Sequence, residues 1–302
     1  MRKLIYILAL VLLSGCGKEE ISDRAAGRGV SIRFVTGLHN LSRVVDTDNL
    51  AEEQIIHNIS LFLTEPGSDA ITHRYVHVGF SSAGDYTQIS LPLTPDELQT
   101  RDIYAVANHD NDITLEALSS IQELETMQTP YVDKNNNLDP MRGFCMYGML
   151  SGFDFNNTDA ATAQVELERT CAKYRINLTF PQDPSLSTVN SFVIGKAANY
   201  TFIGENTGQS IPDDAYFNFA DPTPLNADGQ GVYTNLAYVY EATEQPVMYI
   251  YTRMGGKEQI FTANLPVPER NYLYGIDVEV FAYTSTRTSG SSEIRITVTD
   301  HQ

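Results

Sequence analysis

The sequence predicts an all-β protein made of two tandem β-sandwich domains with one or two short helices. Short segments in which apolar and polar residues alternate recur along the chain, separated by Gly, Pro, Asn and Asp, as in β-sandwiches. Helical spacing of apolar residues occurs in two passages. The 302 residues suffice for about two domains, and the 42% of apolar residues can fill both cores.

The first 15 residues have the pattern of an export signal. Arg2 and Lys3 precede an apolar run over residues 4–13, which is too short for a membrane helix because spanning a bilayer takes about 20 residues. The following LSGC resembles a bacterial lipobox, in which the cut falls before the cysteine and the thiol is lipidated. We therefore expect residues 1–15 to be a lipoprotein signal peptide and Cys16 to carry the lipid. An ordinary secretory signal with an incidental cysteine is the alternative.

Lipidation at Cys16 predicts a location at the cell outer membrane. In CGKEE a lysine and two acids follow the cysteine, which resembles the surface-export signal of Bacteroides-group lipoproteins; a solvated tether is the alternative. The formal net charge of −18 repels nucleic acid and anionic lipid heads, so neither is an expected partner. We expect a surface-exposed protein held to the outer membrane through its lipid.

The first strand follows the tether. In GVSIRFVTG the side chains of Val30, Ile32 and Phe34 share one face, because successive residues of a strand point to opposite sides. We assign residues 16–43 to the tether and this strand, as a candidate propeptide.

Further strand-like segments follow in a regular series. They are NISLFLTE, RYVHVGF, YTQISLPL, RDIYAVAN, QVELERTCAKYRINLTF, FVIGKA, VYTNLAYVY, PVMYIYTRM, EQIFTANLPV and NYLYGIDVEVFAYT. The last segment, SEIRITVTD, presents Ile294, Ile296 and Val298 on one face. The Pro-containing FPQDPSLS divides the series, which predicts an N-terminal sandwich over residues 44–180 and a C-terminal sandwich over 181–302.

Two passages have helical spacing. TPDEL has Thr94 as the expected N-cap, Pro95 in the first turn and Glu97 at the capping-box position. In ITLEALSSIQELETM, apolar residues at a spacing of three form one amphipathic stripe. The members of the stripe are Leu115, Leu118, Ile121 and Leu124.

The chain has three cysteines. With Cys16 assigned to the lipid, Cys145 and Cys171 remain as an even pair in an exported chain, where disulfides persist. They lie in two strand-like runs joined by the turn-rich DFNNTDAA, and an antiparallel hairpin centred near Thr158 would bring the two thiols opposite each other. We therefore expect a Cys145–Cys171 disulfide; two buried small apolar residues are the alternative.

The sequence offers no strong motif for catalysis, and we expect no enzyme activity, cofactor or metal. No G-x-S-x-G elbow, P-loop or dinucleotide fingerprint occurs. HRYVH has Arg74 where a zinc protease needs glutamate. DKNNNLDPMRGF alternates acids and amides like a calcium loop, but Leu138 replaces the turn glycine and Phe144 the bidentate glutamate. Adjacent acids such as Glu52 and Glu53 are expected to be solvated charges in a loop or at a helix start.

Three stretches together resemble the FimA-type fimbrillins of Bacteroides-group bacteria. The first is the order of lipobox, acidic tether, VSIRFVTG, NLSRVV and HNISLFL, with Arg43 at the arginine of the family. The second is VELERTCAKYRINL, with an R-x-x-A-K core, and the third is PERNYLYGIDVEV, with an R-N-x-x-Y pattern. The matching residues in the second and third stretches are Arg169, Ala172, Lys173, Arg270, Asn271 and Tyr274.

The resemblance implies two transthyretin-like β-sandwiches and a structural role in surface fimbriae that support adhesion and biofilm formation. In stalk subunits of the family an arginine-directed protease cuts after the arginine, here Arg43, and the first strand leaves. The C-terminal strand of another fimbrial subunit then fills the groove by strand addition. The replaced strand would present Val30, Ile32 and Phe34, and the donor strand Ile294, Ile296 and Val298.

Other interpretations of the same residues stay open. Residues 293–299 can be simply the last strand of their own domain, and Arg24, Arg28 and Arg33 compete with Arg43 as cleavage sites. The chain ends at TVTDHQ without the longer aromatic tail of typical stalk subunits, and a lipid-retaining anchor subunit is therefore an alternative. A surface glycan-binding lipoprotein is the non-fimbrial alternative, in which some of the 17 tyrosines would replace the absent tryptophan as sugar-stacking platforms.

Overall fold

The computed structural model describes residues 30–36, 51–83, 86–91, 95–133, 137–157, 162–179, 187–204, 216–217, 232–254, 257–281 and 293–300. Cys16 and Arg43 lie outside these residues, so lipidation and cleavage stay predictions. Strands dominate the described residues, which confirms the all-β class. No helix within them is long and apolar enough to cross a membrane.

Eight strands form the first sandwich. They are β1 (Val30–Thr36), β2 (Ile59–Thr64), β3 (Ile71–Tyr75), β4 (Ser81–Ala83), β5 (Tyr86–Leu91), β6 (Thr100–Ala107), β7 (Met146–Asp154) and β8 (Thr162–Arg169). Their order is β3-β2-β6-β7-β8-β1-β5-β4, and the short β7–β8 pairing joins Met146 to Arg169. Phe34, Leu61 and Val165 come from both halves of this order and share one buried core, so the sheet closes on itself as a sandwich.

The second sandwich consists of two four-stranded sheets. Its strands are β9 (Cys171–Thr179), β10 (Ser187–Gly195), β11 (Tyr216–Phe217), β12 (Val232–Tyr240), β13 (Val247–Met254), β14 (Lys257–Asn264), β15 (Leu273–Phe281) and β16 (Glu293–Asp300). The sheet orders are β11-β10-β13-β14 and β12-β9-β15-β16. Tyr174 and Phe192 from the two sheets pack in one apolar core. Two β-sandwiches are therefore present, as predicted.

The first sandwich ends earlier than the sequence predicts. β9 pairs antiparallel with β12 and parallel with β15, so Cys171–Thr179 belongs to the second sandwich. The chain passes from β8 to β9 at the single residue Thr170. The expected boundary between residues 180 and 181 needs this correction, because the strand-like run passes through Thr170 without a Gly, Pro, Asn or Asp that would mark the change of sheet.

Three short α-helices and two 3₁₀ segments complete the described elements: α1 (Pro95–Leu98), α2 (Asp112–Ala117), α3 (Ile121–Glu125), Ala51–Gln54 and Pro140–Arg142. The predicted apolar stripe is buried against the outer face of β2 and β6. It belongs to two helices, however, because Leu118 is extended, with ψ of 140°, and ends α2. Ser120 then begins α3 by accepting from the Glu123 N–H in a capping box.

A buried histidine anchors the loop that leads into α2. His109 is 4% exposed; its Nδ1 accepts from the Asn111 N–H at 3.3 Å, so its Nε2 donates to the Gln128 carbonyl at 3.0 Å. Both ring nitrogens are therefore satisfied in the neutral form. Burial, the largest cause, lowers the pKa of His109 below its ordinary value of 6.5.

We expect this histidine to make folding sensitive to mild acid. Because its pKa is lower in the folded than in the unfolded chain, the unfolded chain binds more protons, and stability falls as pH drops below 6.5. Urea unfolding between pH 7.5 and 5 should show this loss, and His109→Gln should flatten it. His57→Gln is the control, since the His57 side chain is exposed. An equal effect of the two substitutions would contradict the assignment.

Candidate functional site: the first strand and the interdomain junction

β1 is an interior strand of the sheet of the first sandwich. It pairs antiparallel with β5, where Ile32 is opposite Ile89, and parallel with β8, where Ile32 is opposite Ala163. Val30, Ile32 and Phe34 are at most 1% exposed, which confirms the predicted buried face. Among the described strands, β4 and β5 reach the rest of the sheet through β1. Loss of β1 would therefore open a groove between β5 and β8.

The opposite face of β1 is polar and tied to β5. Arg33 Nε donates to Gln88 Oε1 at 3.4 Å, and Gln88 Nε2 donates to Ser31 Oγ at 3.1 Å. Because the backbone at Arg33 is paired on both sides, a protease could not reach it in the folded chain. Arg33 is therefore a poor competitor for cleavage. Arg24 and Arg28, the other competitors, lie outside the described residues.

β16, which carries the predicted donor residues, is an edge strand of the second sandwich. It pairs antiparallel with β15, with Ile294 opposite Val280, Ile296 opposite Val278 and Val298 opposite Ile276. In this state the segment is therefore the last strand of its own domain. An edge strand has to break one backbone ladder to leave its sheet, whereas a central strand has to break two.

Residues of the second and third family stretches meet in a buried ion cluster between the sandwiches. Its centre is Glu53, which lies in the 3₁₀ segment Ala51–Gln54 and is 1% exposed. Glu53 Oε1 accepts from Lys173 Nζ at 2.6 Å and from Tyr238 Oη at 2.6 Å. Arg169 Nη2 lies 3.9 Å from Glu53 Oε2, and Arg169 Nε donates to the Glu53 carbonyl at 3.1 Å. A single carboxylate thus binds side chains from β8, β9 and β12.

The burial of Glu53 corrects the expectation of a solvated charge. The predicted helix start is present, but the cation that neutralises Glu53 lies 120 positions further along the chain. A buried carboxylate is tolerated when it is paired and hydrogen-bonded. The neighbouring Glu52 stays partly exposed, so the two adjacent acids have different environments. Local sequence could not distinguish them.

Arg270 and Asn271, the two motif residues before β15, also make hydrogen bonds at this junction. Asn271 has φ of 59°, a left-handed conformation that asparagine tolerates better than most residues. Its Oδ1 accepts from Arg169 Nη1 at 3.5 Å, and its N–H donates to the Cys171 carbonyl at 2.9 Å. Arg270 pairs with the Glu241 carboxylate and donates to the Ile203 carbonyl at 3.0 Å. Asn271 therefore links Arg169 of the first sandwich to the start of β9, and Arg270 links segments that follow β10 and β12.

Cys145 and Cys171 are free thiols in the structure, so the expected disulfide needs correction. The predicted β7–β8 hairpin forms, but Met146 is opposite Arg169, and the Thr170 N–H donates to the Cys145 carbonyl at 3.0 Å. The register thus differs by one residue from the expected one, which turns side chains to opposite faces. Cys145 packs in the core beneath α2 and α3, and Cys171 in the core of the second sandwich.

Burial makes both thiols unreactive at neutral pH. Desolvation, the largest cause for each, raises the pKa of Cys145 to about 12 and that of Cys171 to about 12. Because the thiolate is the nucleophile, neither side chain is suited to catalysis or exchange. Both cysteines behave as small apolar core residues, the alternative considered for them.

No protein-family model and no curated protein matches the sequence. Solved structures match its fold over both sandwiches. A candidate cell adhesion protein from Parabacteroides distasonis superposes with a TM-score of 0.61 at 15% identity, covering 90% of this chain and 96% of that chain. The tip fimbrial protein Mfa3 from Porphyromonas gingivalis, truncated at its C-terminus, gives a TM-score of 0.58 at 14% identity, covering 90% and 99%. A fimbrial assembly protein from Parabacteroides distasonis gives 0.57 at 12% identity, covering 90% and 95%.

The chain has the same fold as these fimbrial and cell adhesion proteins. This likeness confirms the fold that the resemblance of the three sequence stretches implied, since the structures share both sandwiches at low identity. Within this fold, the sequence pattern found the buried face of β1 and the positions of the motif residues. It missed Glu53, whose signal is two acids that begin a short helical turn.

We expect the ion cluster to stabilise the junction as a unit. Lys173→Met leaves Glu53 buried without its nearest cation, which should lower the free energy of unfolding by about 3–5 kcal/mol. Glu53→Gln should also destabilise, and the double variant should lose less than the sum of the two single losses, because the partners are in contact. Urea unfolding at pH 7 measures all three. Glu52→Gln is the matched control, with an expected change within about 0.5 kcal/mol; additive losses would contradict the cluster.

Proposed function

We propose that this protein is a structural subunit of a cell-surface fimbrium, exported as a lipoprotein and assembled by donor-strand exchange after cleavage at Arg43. The observation that carries the proposal is the position of β1: a short strand near the N-terminus, paired with a neighbour on each side, with a fully buried apolar face. The fold shared with fimbrial proteins supports the same role. Adhesion and biofilm formation would follow from the polymer.

Removal of β1 creates the assembly site. Val30, Ile32 and Phe34 would leave three empty positions in the core, each contributing about 1.5–3 kcal/mol when filled. β5 and β8 would each lose a ladder of backbone hydrogen bonds, worth about 0.5–1.5 kcal/mol per bond. Another strand with apolar residues at alternate positions would restore both the core burial and the backbone hydrogen bonds. The groove therefore selects for period and length and accepts a strand from another subunit.

β16 is the best donor on this chain. It carries the same period as β1, and it is held in its own sheet by one neighbour. When β16 leaves β15 for the groove of another subunit, it exchanges one ladder for two. Each subunit offers one groove and one donor, so the contact is head-to-tail and generates an open filament.

A lipid-retaining anchor is the alternative within the same assembly. An anchor keeps β1 in place and accepts no donor strand, and β1 is fully packed in the uncleaved chain. The N-terminal residue of the surface-extracted protein separates the two roles. Lipidated Cys16 followed by residues 30–36 identifies the anchor, and a start after residue 43 identifies the stalk subunit.

The groove can be tested with purified protein. A chain that begins at residue 44 should unfold at a lower temperature than one that begins at residue 17, because β1 is missing. A synthetic peptide of residues 30–36 should raise its melting temperature by several degrees, as expected for a ligand that binds the folded state alone. The same peptide with Ile32→Lys is the matched control, since Ile32 is 0% exposed. Strand exchange would be excluded if the chain without β1 had the same melting temperature as the longer chain and if neither peptide raised it.

Assembly can be tested in the cell that makes the protein. Arg43→Ala should leave lipidated monomers at the membrane, because β1 would stay in its groove and close it to donors. SDS-resistant ladders on gels measure the polymer. Arg33→Ala is the control and should leave the ladders intact, since Arg33 lies inside a paired strand. If Arg43→Ala cells produced normal ladders, this chain would not be a stalk subunit cleaved at Arg43. It would then be an anchor subunit, or cleavage would occur at another arginine.

A further inference from the structure

A small cavity opens between loops of the first sandwich and the end of β12. Its volume is about 240 Å³, slightly below the roughly 300–1,000 Å³ of pockets for drug-sized ligands. Tyr240 and Cys145 contribute buried wall, the half-buried Asp139 lies between wall and rim, and Asp110 and Tyr131 contribute exposed rim. The cavity is therefore of a size for one small ring, and its lining combines apolar and polar groups.

An aromatic side chain on the rim is held in place although it is exposed. Tyr131 is 62% exposed, yet its hydroxyl accepts from Asn199 Nδ2 at 2.9 Å. The same amide nitrogen donates to the Val132 carbonyl at 2.9 Å, which fixes the asparagine. A large exposed aromatic side chain fixed by hydrogen bonding is preorganised as a stacking surface, and ordering it on binding costs little entropy.

The polar groups of the rim are acceptors held at fixed positions. Asp110 Oδ1 accepts from Asn58 Nδ2 at 3.0 Å. Asp139 Oδ1 accepts from the Met141 N–H at 2.9 Å. Asp110 is exposed at the rim, where its carboxylate can accept from a hydroxyl group of a ligand. Arg142, 3.9 Å from Asp139, adds a donor beside these acceptors.

We propose that this cavity binds one neutral sugar ring of a glycan. A pyranose has an apolar C–H face that stacks on an aromatic ring, and a rim of hydroxyl groups that donate to carboxylates and accept from guanidinium groups. Tyr131 supplies the first contact, and Asp110 and Arg142 supply the second. Two carboxylates at the rim and the formal net charge of −18 disfavour sialic acid and sulfated or phosphorylated sugars.

A sugar site would supply the ligand for the adhesion proposed above, so this inference rests on the proposed function. It is nevertheless separate from assembly, because neither β1 nor β16 contributes a residue to the cavity. Sugar binding by the purified monomer and ladder formation in cells are independent measurements. Failure of one leaves the other intact.

Ligand-observed NMR on the purified protein, from residue 17 onward, tests the site. The probes are the methyl glycosides of glucose, galactose, mannose, fucose and N-acetylglucosamine, with sialic acid as the anionic comparison. We expect at least one neutral probe to bind with a Kd on the order of 1 mM, and sialic acid to bind more weakly. Tyr131→Ala should reduce affinity about tenfold, and Tyr131→Phe should bind with intermediate affinity, because the ring remains but the hydrogen bond that fixes it is lost.

Two further variants locate the binding. Asp110→Ala should weaken the neutral probe, because the hydroxyl acceptor is lost. Phe80→Ala is the matched control, since Phe80 is an exposed aromatic residue that does not line the cavity, and it should bind like the unchanged protein. An unchanged melting temperature for each variant shows that it is folded. The proposal is overturned if no neutral probe binds, if sialic acid binds equally well, or if Tyr131→Ala and Phe80→Ala have the same effect.

Discussion

The contact between Glu53 and Lys173 is the constraint on which the junction of this protein depends. A carboxylate that is 1% exposed needs its cation, and the cation lies on β9, the first strand of the second sandwich. Arg169 and Tyr238 complete the same cluster from β8 and β12. Because a buried charge without its partner is strongly unfavourable, the 3₁₀ segment and both sandwiches have to come together in one arrangement. In that arrangement the chain crosses from β8 to β9 at the single residue Thr170.

The place of this cluster along the chain matters for assembly. Glu53 follows residue 43, so proteolysis at that point would remove β1 and leave every member of the cluster in place. The first sandwich would then be open on one edge of β5 and β8 while the junction stayed closed. A subunit that waits for a donor strand needs this separation, because an open groove would otherwise loosen the whole chain. The ion cluster and β1 thus lie in different parts of the fold.

Local pattern predicted the features that depend on neighbouring residues. Val30, Ile32 and Phe34 could be assigned to one face because strand period is set within a few residues. The helical stripe was found for the same reason, although Ser120 divides it into two helices. The sheet membership of β9, the one-residue register at Cys145 and the burial of Glu53 depend on partners far along the chain. Periodicity has no information on these partners, so each of the three expectations required correction.

The cavity between the first sandwich and β12 would be repeated along a filament of these subunits. One shallow site with a single stacking ring and a few acceptors binds a sugar weakly, because a small ligand gains little free energy per atom against the entropy of association. Strand exchange would place such sites at regular intervals along one filament. When several sites meet a glycan-covered surface, each further binding event is intramolecular, and overall avidity rises by about 10²–10⁴ over a single contact. Weak recognition at the junction is then compatible with firm attachment, provided that β1 can be replaced and the junction stays closed.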